Sequence, residues 1–220
     1  MTLPTLISKY RKFELKNRFK VSYTLVLQAT SSFGNDKYDI VQDYCGYNIY
    51  QERSMGTFAY DYSKYFHHTI LKPYSKLKRL VGYSDLHGPD GSKLNYYFND
   101  GKFFVLNNGM VIMTPSKCKF TGYARPNSTP RPVGFWVDIN GSKRPNKVGF
   151  DIFFFQILRN NILMPSQLTH NMPYVEESTD CNFFETISAN RNGLACTYYA
   201  LRDEFPGDKT KSYWDNLPNF

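Results

Sequence analysis

The sequence predicts a single-domain α+β protein in which a long amphipathic first helix packs on an antiparallel sheet. Apolar residues recur every three to four positions near the start of the chain, which is typical of a helix. After residue 93 short runs alternate between apolar and polar residues, and Asp-Gly and Asn-Gly pairs separate them, as in β-hairpins. The 18 Tyr and 18 Phe residues favour strands, because flat rings pack well on a pleated surface.

The first helix is predicted over residues 2–31, followed by a globular head over residues 32–220. Ser31 to Asn35 form the polar and glycine-containing run that is expected to end the helix. Its apolar residues are expected to form one stripe that packs on the domain: Leu3, Leu6, Ile7, Tyr10, Phe13, Phe19, Tyr23, Val26 and Leu27. A second helix is predicted over residues 57–72, and a short third helix from about Asn182 to Arg191.

The strands are predicted in two groups. Lys93–Phe98, Lys102–Leu106 and Met110–Thr114 are expected to form a three-stranded antiparallel meander. Val133–Ile139 and Phe150–Leu158 follow, connected through the loop at residues 140–147. The last of these runs is apolar on both faces, which predicts a central strand covered on both sides, with the first helix over one of them.

The net charge of +8 allows two interpretations. It indicates either an ordinary solvated basic surface, which we favour, or contact with an anionic partner such as nucleic acid or phospholipid. The densest cluster of basic residues lies in the first twenty positions: Lys9, Arg11, Lys12, Lys16, Arg18 and Lys20. Any binding to DNA would be electrostatic and independent of base sequence.

The four cysteines are Cys45, Cys118, Cys181 and Cys196, and none forms a C-x-x-C pair. The spacing argues against a zinc site or a thioredoxin-like redox motif. Two disulfides in an oxidising compartment and four buried thiols both remain open from the spacing alone. No run approaches the roughly 20 apolar residues that a membrane-spanning helix needs.

The segment from Asp138 to Asp151 places oxygen-bearing side chains beside a glycine, as calcium loops do. Asp138, Asn140 and Asp151 are the candidate ligands, but Gly141 stands fourth rather than sixth in the segment, so it does not fit an EF-hand. The alternative, which we favour, is a structural hairpin in which the two aspartates accept hydrogen bonds from loop amides.

Signals for catalysis are few. His87 lies beside a Gly-Pro-Asp-Gly turn signature, and the chain has no nucleophile elbow, zinc-protease helix, P-loop or dinucleotide-binding fingerprint. Pairing of Cys118 or Cys196 with a histidine is the remaining catalytic alternative. We expect a protein that is not an enzyme, with no cofactor and no small-molecule substrate.

Three separated segments, at the beginning, in the middle and at the end of the chain, carry short motifs that occur in a fixed order. The first runs from Thr2 to Ala29 and contains TLPTLI, YRK and RFK; the second opens with VDING at Val137 and continues to Phe155. The third contains GLACTYYALRD and ends in SYW at Ser212–Trp214. Together they resemble bacterial type IV pilin-like proteins, the group often described as type II secretion prepilins or pseudopilins.

This resemblance implies a structural subunit, a minor pilin or pseudopilin, of a type IV pilus or type II secretion filament in the cell envelope. It also implies a cysteine-bounded loop near the C-terminus, with a disulfide between Cys181 and Cys196. Cys45 and Cys118 are the candidate second pair. The partners would be other pilin subunits, and the contacts would be made by the start of the first helix through Leu3, Leu6, Ile7, Tyr10 and Phe13. The alternative function is a soluble extracellular binding module with a basic aromatic surface for DNA or glycans.

Members of this group carry a charged leader, a cleavage site and an apolar segment of roughly 20 residues ahead of the matched helix. With such a segment we expect the full-length form to be anchored in the inner membrane and to enter an extracellular filament. The chain as written is expected to be a soluble monomer or weak dimer.

Overall fold

The computed structural model describes residues 3–45, 55–66, 70–73, 87–91, 101–114, 132–165, 181–184 and 192–219. The helices are α1 (Leu3–Asp36), α2 (Ile40–Cys45), α3 (Met55–Ser63) and α4 (Cys196–Arg202). The strands are β1 (Ile70–Pro73), β2 (Lys102–Val105), β3 (Val111–Thr114), β4 (Val133–Asp138), β5 (Ile152–Ile157) and β6 (Leu163–Pro165), with a 3₁₀ segment at Arg159–Asn161. The predicted α+β class, with a long N-terminal helix and an antiparallel sheet, is confirmed.

The sheet is an antiparallel meander in which strands β1 to β6 lie side by side in chain order. The hairpin between β2 and β3 turns at Asn107–Gly109, as the Asn-Gly pair predicts. Gly109 has a φ of 85°, and the Leu106 amide donates to the Met110 carbonyl oxygen at 2.9 Å. The predicted strand Lys93–Phe98 lies outside the described residues.

The second helix is shorter than the prediction over residues 57–72. It ends at Ser63, and Ile70–Pro73 forms the edge strand β1, which pairs with β2. Phe58, Tyr62 and Phe66 are buried against the sheet, so the helical spacing is correct up to that point. The short apolar run at residues 70–71 fits a helix or a strand equally well in sequence, and pairing with β2 decides between them.

Strand β5 is covered on both faces, as predicted, and all six of its residues are buried. On one face Phe153 and Phe155 join the main core, which also contains residues from α1, α2, α3 and α4. On the other face Ile152 and Phe154 join a second cluster with Trp136, which packs on Phe154 with 4.7 Å between ring centroids. This double burial explains the continuous apolar run in the sequence.

Helix α1 docks on the sheet through Phe19, which is 1% exposed. Its ring centroid lies 4.5 Å from that of Phe153, 6.5 Å from that of Phe155 and 5.4 Å from that of Trp214. Aromatic pairs at these separations add attraction beyond the area they bury. The predicted cover of one sheet face by the first helix is therefore confirmed.

The helix does not end in the polar run at Ser31–Asn35 but continues to Asp36. Phe33 is fully buried, and Gly34 lies so close to Asn161 that a Cβ on the glycine would meet the Asn161 Cβ at 2.7 Å. The Asn161 amide donates to the Gly34 and Lys37 carbonyl oxygens at 3.1 and 3.0 Å. The glycine that suggested a helix end instead permits this close approach.

The short helix predicted from Asn182 to Arg191 is not present in its described part, because residues 181–184 form bends rather than a helix. Asn182 instead pairs with Asn192 through hydrogen bonds of 2.8 and 2.9 Å between backbone and side-chain amides. The structure has a different helix, α4, which begins at Cys196. The Cys181–Cys196 disulfide joins this helix to residues 181–184, so the predicted bridge is present.

Cys45 is also disulfide-bonded. Cys118, its predicted partner, lies outside the described residues. Within the part of the chain that the structure describes, no helix is both long and apolar enough to cross a membrane.

We expect Phe19→Ala to lower the free energy of unfolding by about 3–5 kcal/mol, because it leaves a cavity among Phe153, Phe155 and Trp214. Phe13→Ala is the matched control in the same helix, since Phe13 is 63% exposed, and its effect should stay within about 0.5 kcal/mol. Urea unfolding of the two variants measures both values. Equal losses would contradict the placement of only Phe19 in the core.

Removal of the Cys181–Cys196 bridge by a double alanine substitution should lower the unfolding free energy by about 3 kcal/mol, because the cysteines are 15 residues apart. Peptide mapping of unreduced protein from an oxidising compartment should recover the two cysteines in one linked peptide pair. Two free thiols in that sample would contradict the assignment.

Candidate functional site: an exposed stripe and a basic recess on the first helix

The apolar residues of α1 form two stripes rather than the single stripe predicted from the sequence. The first is the outer stripe, defined by Leu3, Leu6, Ile7, Tyr10 and Phe13, which are 70%, 56%, 45%, 67% and 63% exposed. The second is the inner stripe of buried residues Leu15, Phe19, Val26, Ala29 and Phe33. Phe13 and Leu15 are two positions apart, or about 200° around a helix, so the two stripes lie on opposite faces.

The outer stripe therefore does not pack on its own domain, although the sequence pattern predicted that it would. Val21 lies on the same face about two turns further along and is 56% exposed. Contiguous exposed apolar residues on a soluble domain commonly mark a protein or membrane contact. The residues that the pilin resemblance assigns to assembly are thus exposed together.

The start of α1 is held in place by the last part of the chain. The Ser8 hydroxyl donates to the Asn219 Oδ1 at 2.9 Å, and Lys12 Nζ donates to the Asp215 carbonyl oxygen at 3.2 Å. Lys16 forms an ion pair with Asp203 at 2.5 Å. These bonds fix the first turns of the helix without covering the outer stripe.

Asp203 is a structural residue that the sequence did not single out. It lies in the left-handed conformation at the end of α4, with a φ of 56°. Its carboxylate accepts hydrogen bonds from the Ser212 hydroxyl at 2.8 Å and from the Trp214 amide at 3.3 Å, besides the Lys16 ion pair. Partial burial raises the pKa of Asp203, but the contacts with Lys16, Ser212 and Trp214 outweigh it and hold the pKa below its ordinary value.

A basic recess of about 410 Å³ lies beside the outer stripe. We define it by four cationic side chains, Arg11 and Arg18 of α1 and Lys143 and Arg144 of the loop after β4. Glu14 is the one acidic residue among the described residues that line the recess, and its Oε1 accepts from Arg18 Nε at 2.9 Å. The fold thus gathers an excess of positive charge from two segments that are far apart in sequence.

The loop that carries Lys143 and Arg144 is fixed by the two buried aspartates of the VDING segment. Asp138 Oδ1 accepts from the Asn140 and Gly141 amides at 3.0 and 2.8 Å. Asp151 accepts from the amides of Asn146 and Lys147 at 2.7 and 2.6 Å. These bonds are the loop-amide contacts that the hairpin interpretation predicted.

Asp138, Asn140 and Asp151, the candidate calcium ligands, are all buried in this loop. Asn140 also lines the basic recess. The described residues contain no group of three or more His, Cys, Asp or Glu side chains arranged to hold a metal ion. The hairpin interpretation accounts for the burial of the Asp138 and Asp151 carboxylates through their bonds to loop amides.

Gly141 is a residue of this loop that a side chain could not replace. Its φ is 67°, and a Cβ there would meet the Gly109 carbonyl oxygen at 2.3 Å. The loop after β4 is therefore packed against the turn between β2 and β3. This contact adds a second support for the position of Lys143 and Arg144.

The residues considered for catalysis have structural roles where they are described. Cys196 is disulfide-bonded, so the proposed pairing of a Cys196 thiol with a histidine is wrong. The His87 backbone pairs with the loop after β4, since its amide donates to the Asn146 carbonyl oxygen at 3.3 Å and its carbonyl oxygen accepts from the Val148 amide at 2.9 Å. Gly91 donates to the Gly88 carbonyl oxygen at 3.0 Å, which makes the predicted turn.

Comparison of the chain with protein-family models, with curated proteins and with solved structures finds no match.

We expect the stability of the protein to fall as the pH rises from about 4 to about 7 through the titration of Asp151. Burial raises the pKa of Asp151 to about 7, although hydrogen bonds from the Lys147 and Asn146 amides act in the opposite direction. An unfolded Asp has a pKa of about 3.9, so between these values the folded protein binds a proton that the unfolded chain has released. Asp151→Asn should flatten this dependence.

Urea unfolding across that pH range tests the expectation, with Asp43→Asn as a control that removes an exposed carboxylate. The control should keep the slope of the wild type. A slope that Asp151→Asn leaves unchanged would show that Asp151 stays ionised in the folded state.

Proposed function

We propose that this chain is a pilin-like structural subunit of a filament in the cell envelope, in which copies of α1 pack against one another through the outer stripe. The observation that carries the proposal is the exposure of this stripe on the face of α1 opposite the sheet. The resemblance of three segments to pilin-like proteins adds support. The fold, a long helix on an antiparallel sheet with a disulfide near the C-terminus, is compatible with it.

The physical reason for assembly is the apolar area that the outer stripe leaves in water. Burial of such area stabilises a contact by roughly 25 cal/mol per Å², and five large side chains in one stripe supply a continuous contact along three turns. A contact between two outer stripes would close as a two-fold dimer, so a filament requires the outer stripe of one copy to pack on a different surface of the next. Such a head-to-tail contact repeats into a filament when its rotation does not close into a ring.

The disulfides also fit a place outside the reducing interior of the cell. Cys181–Cys196 is bonded, and Cys45 is bonded as well. Disulfides persist in oxidising compartments and are rare in the cytosol. In this proposal the subunit is anchored in the inner membrane in its full-length form, and its partners are other pilin or pseudopilin subunits.

Site-specific photo-crosslinking in cells that carry the gene tests the proposal. A photoreactive amino acid at Tyr10 or Phe13 should form crosslinks to a second copy or to another subunit with a similar helix. Ile162 is the control position, since it is 52% exposed and follows Asn161, which packs on Gly34 near the opposite end of α1 from the outer stripe. We expect no subunit crosslinks from it.

The same experiment on a Leu6→Ser variant should give at least a severalfold loss of crosslinks from position 10, because the substitution removes apolar area from the shared contact. Crosslinks from position 162 in place of positions 10 and 13 would show that the head, rather than the helix, carries assembly. The absence of subunit crosslinks from all three positions would overturn the proposed function.

A further inference from the structure

We propose that the basic recess binds the phosphate of an anionic phospholipid headgroup while the outer stripe beside it enters the apolar edge of the bilayer. The recess gathers Arg11, Arg18, Lys143 and Arg144 around one opening, with Glu14 as the only acidic side chain of the described lining. Phosphate oxygens are the partners that guanidinium groups bind with paired hydrogen bonds.

A row of charged residues of α1 runs along the edge of the outer stripe. Ile7, Arg11, Glu14 and Arg18 follow one another at spacings of four, three and four, so they form one row along the helix. Ile7 at the start of the row belongs to the outer stripe and is 45% exposed. The row therefore joins the outer stripe at Ile7 to the charged residues of the recess on one side of the helix.

The outer stripe and the row that begins at Ile7 run side by side along the helix. Amphipathic helices lie in the membrane surface and bury their apolar side chains by about 5–10 Å at the boundary between headgroups and acyl chains. A helix in that orientation places the outer stripe in the apolar layer and keeps Arg11, at the edge of the stripe, at the level of the lipid phosphates.

The loop after β4 adds two cations to the same recess. Lys143 and Arg144 are exposed, yet the bonds of Asp138 and Asp151 to the loop amides hold the backbone that carries them. On the far side of the outer stripe, Lys9 and Lys20 of α1 are exposed as well. An apolar stripe with cations on both sides is the pattern of a surface helix attracted to anionic lipid.

The apolar stripe is the reason to favour lipid over nucleic acid. Leu3, Leu6 and Ile7 have no role against a phosphate backbone, and DNA binding would leave them in water. A lipid surface satisfies the stripe and the recess together. The inference goes beyond filament assembly and does not depend on it, because it concerns the chain before any contact with another copy.

Flotation of the purified chain with lipid vesicles tests the inference. We expect it to float with vesicles of phosphatidylcholine and phosphatidylglycerol but not with vesicles of phosphatidylcholine alone, and high salt should weaken the binding. A double variant, Lys143→Gln with Arg144→Gln, should bind the anionic vesicles about 30-fold more weakly, at about fivefold for each cation near the surface. Lys102→Gln with Arg159→Gln removes two exposed cations elsewhere and should bind nearly as the wild type.

A second variant, Leu6→Ser with Ile7→Ser, should also lose vesicle binding although it keeps every cation, which separates insertion from charge attraction. Inorganic phosphate and a short DNA duplex are tested as competitors. Equal binding to both vesicle types, or equal loss in the two glutamine variants, would overturn the inference. Binding of the duplex but not of vesicles, lost in the Lys143/Arg144 variant, would assign the recess to nucleic acid instead.

Competition by inorganic phosphate alone, with no vesicle binding, would make the recess a site for free phosphate and would likewise overturn the lipid assignment. These outcomes are independent of subunit crosslinking in cells. Vesicle binding without crosslinks would remove the filament proposal and leave the lipid inference. Crosslinks without vesicle binding would remove the lipid inference and leave the filament proposal.

Discussion

The contact between Phe19 and the aromatic face of the sheet is the constraint on which the exposed surfaces of this protein depend. Phe19 is buried against Phe153, Phe155 and Trp214, and this fixes the rotation of α1 about its own axis. An α-helix turns by a fixed 100° per residue, so the same rotation sets the direction of the residues before it. Leu6, Tyr10 and their neighbours point outward because Phe19 points inward.

The apolar residues of α1 lie on two faces because Phe13 and Leu15 are only two positions apart. A regular spacing of three and four positions throughout would have placed all apolar residues toward the core. The step turns the first stripe about 200° away from the second, and the polar contacts of Ser8, Lys12 and Lys16 hold that orientation without covering the stripe. A helix with two apolar faces can pack on its own domain through one of them and leave the other for a second surface.

The elements with local signals were predicted well from the sequence. The Asn-Gly turn, the doubly buried β5 and the amide bonds of Asp138 and Asp151 follow from turn chemistry and from the period of apolar residues. The elements that were wrong depend on distant partners. Helix α1 continues through Gly34 because Asn161, more than a hundred positions later, packs on it, and Ile70 lies in a strand because β2 pairs with it.

The candidate surface was predicted only in part, for the same reason. The basic cluster at the start of α1 was evident in the sequence, and so were the five residues of the outer stripe. The direction predicted for these five residues was wrong, because three-to-four spacing alone does not reveal the two-residue step between Phe13 and Leu15. The sequence could not place Lys143 and Arg144 beside Arg11 and Arg18, because only the fold brings the two segments to one recess.

The outer stripe and the basic recess share one helix, and this has a consequence for any partner. An occupant that buries Ile7 also covers the approach to Arg11, which lies one turn further along the same row. Lipid headgroups and neighbouring helices would therefore compete for the first turns of α1 rather than bind together. For a subunit that leaves a membrane to join a filament, each new helix contact would replace a lipid contact of similar apolar area. The free energy of moving the subunit from the bilayer to the filament would then be decided by the cations. They lose their phosphate partners on leaving the bilayer and need acidic partners in the assembly.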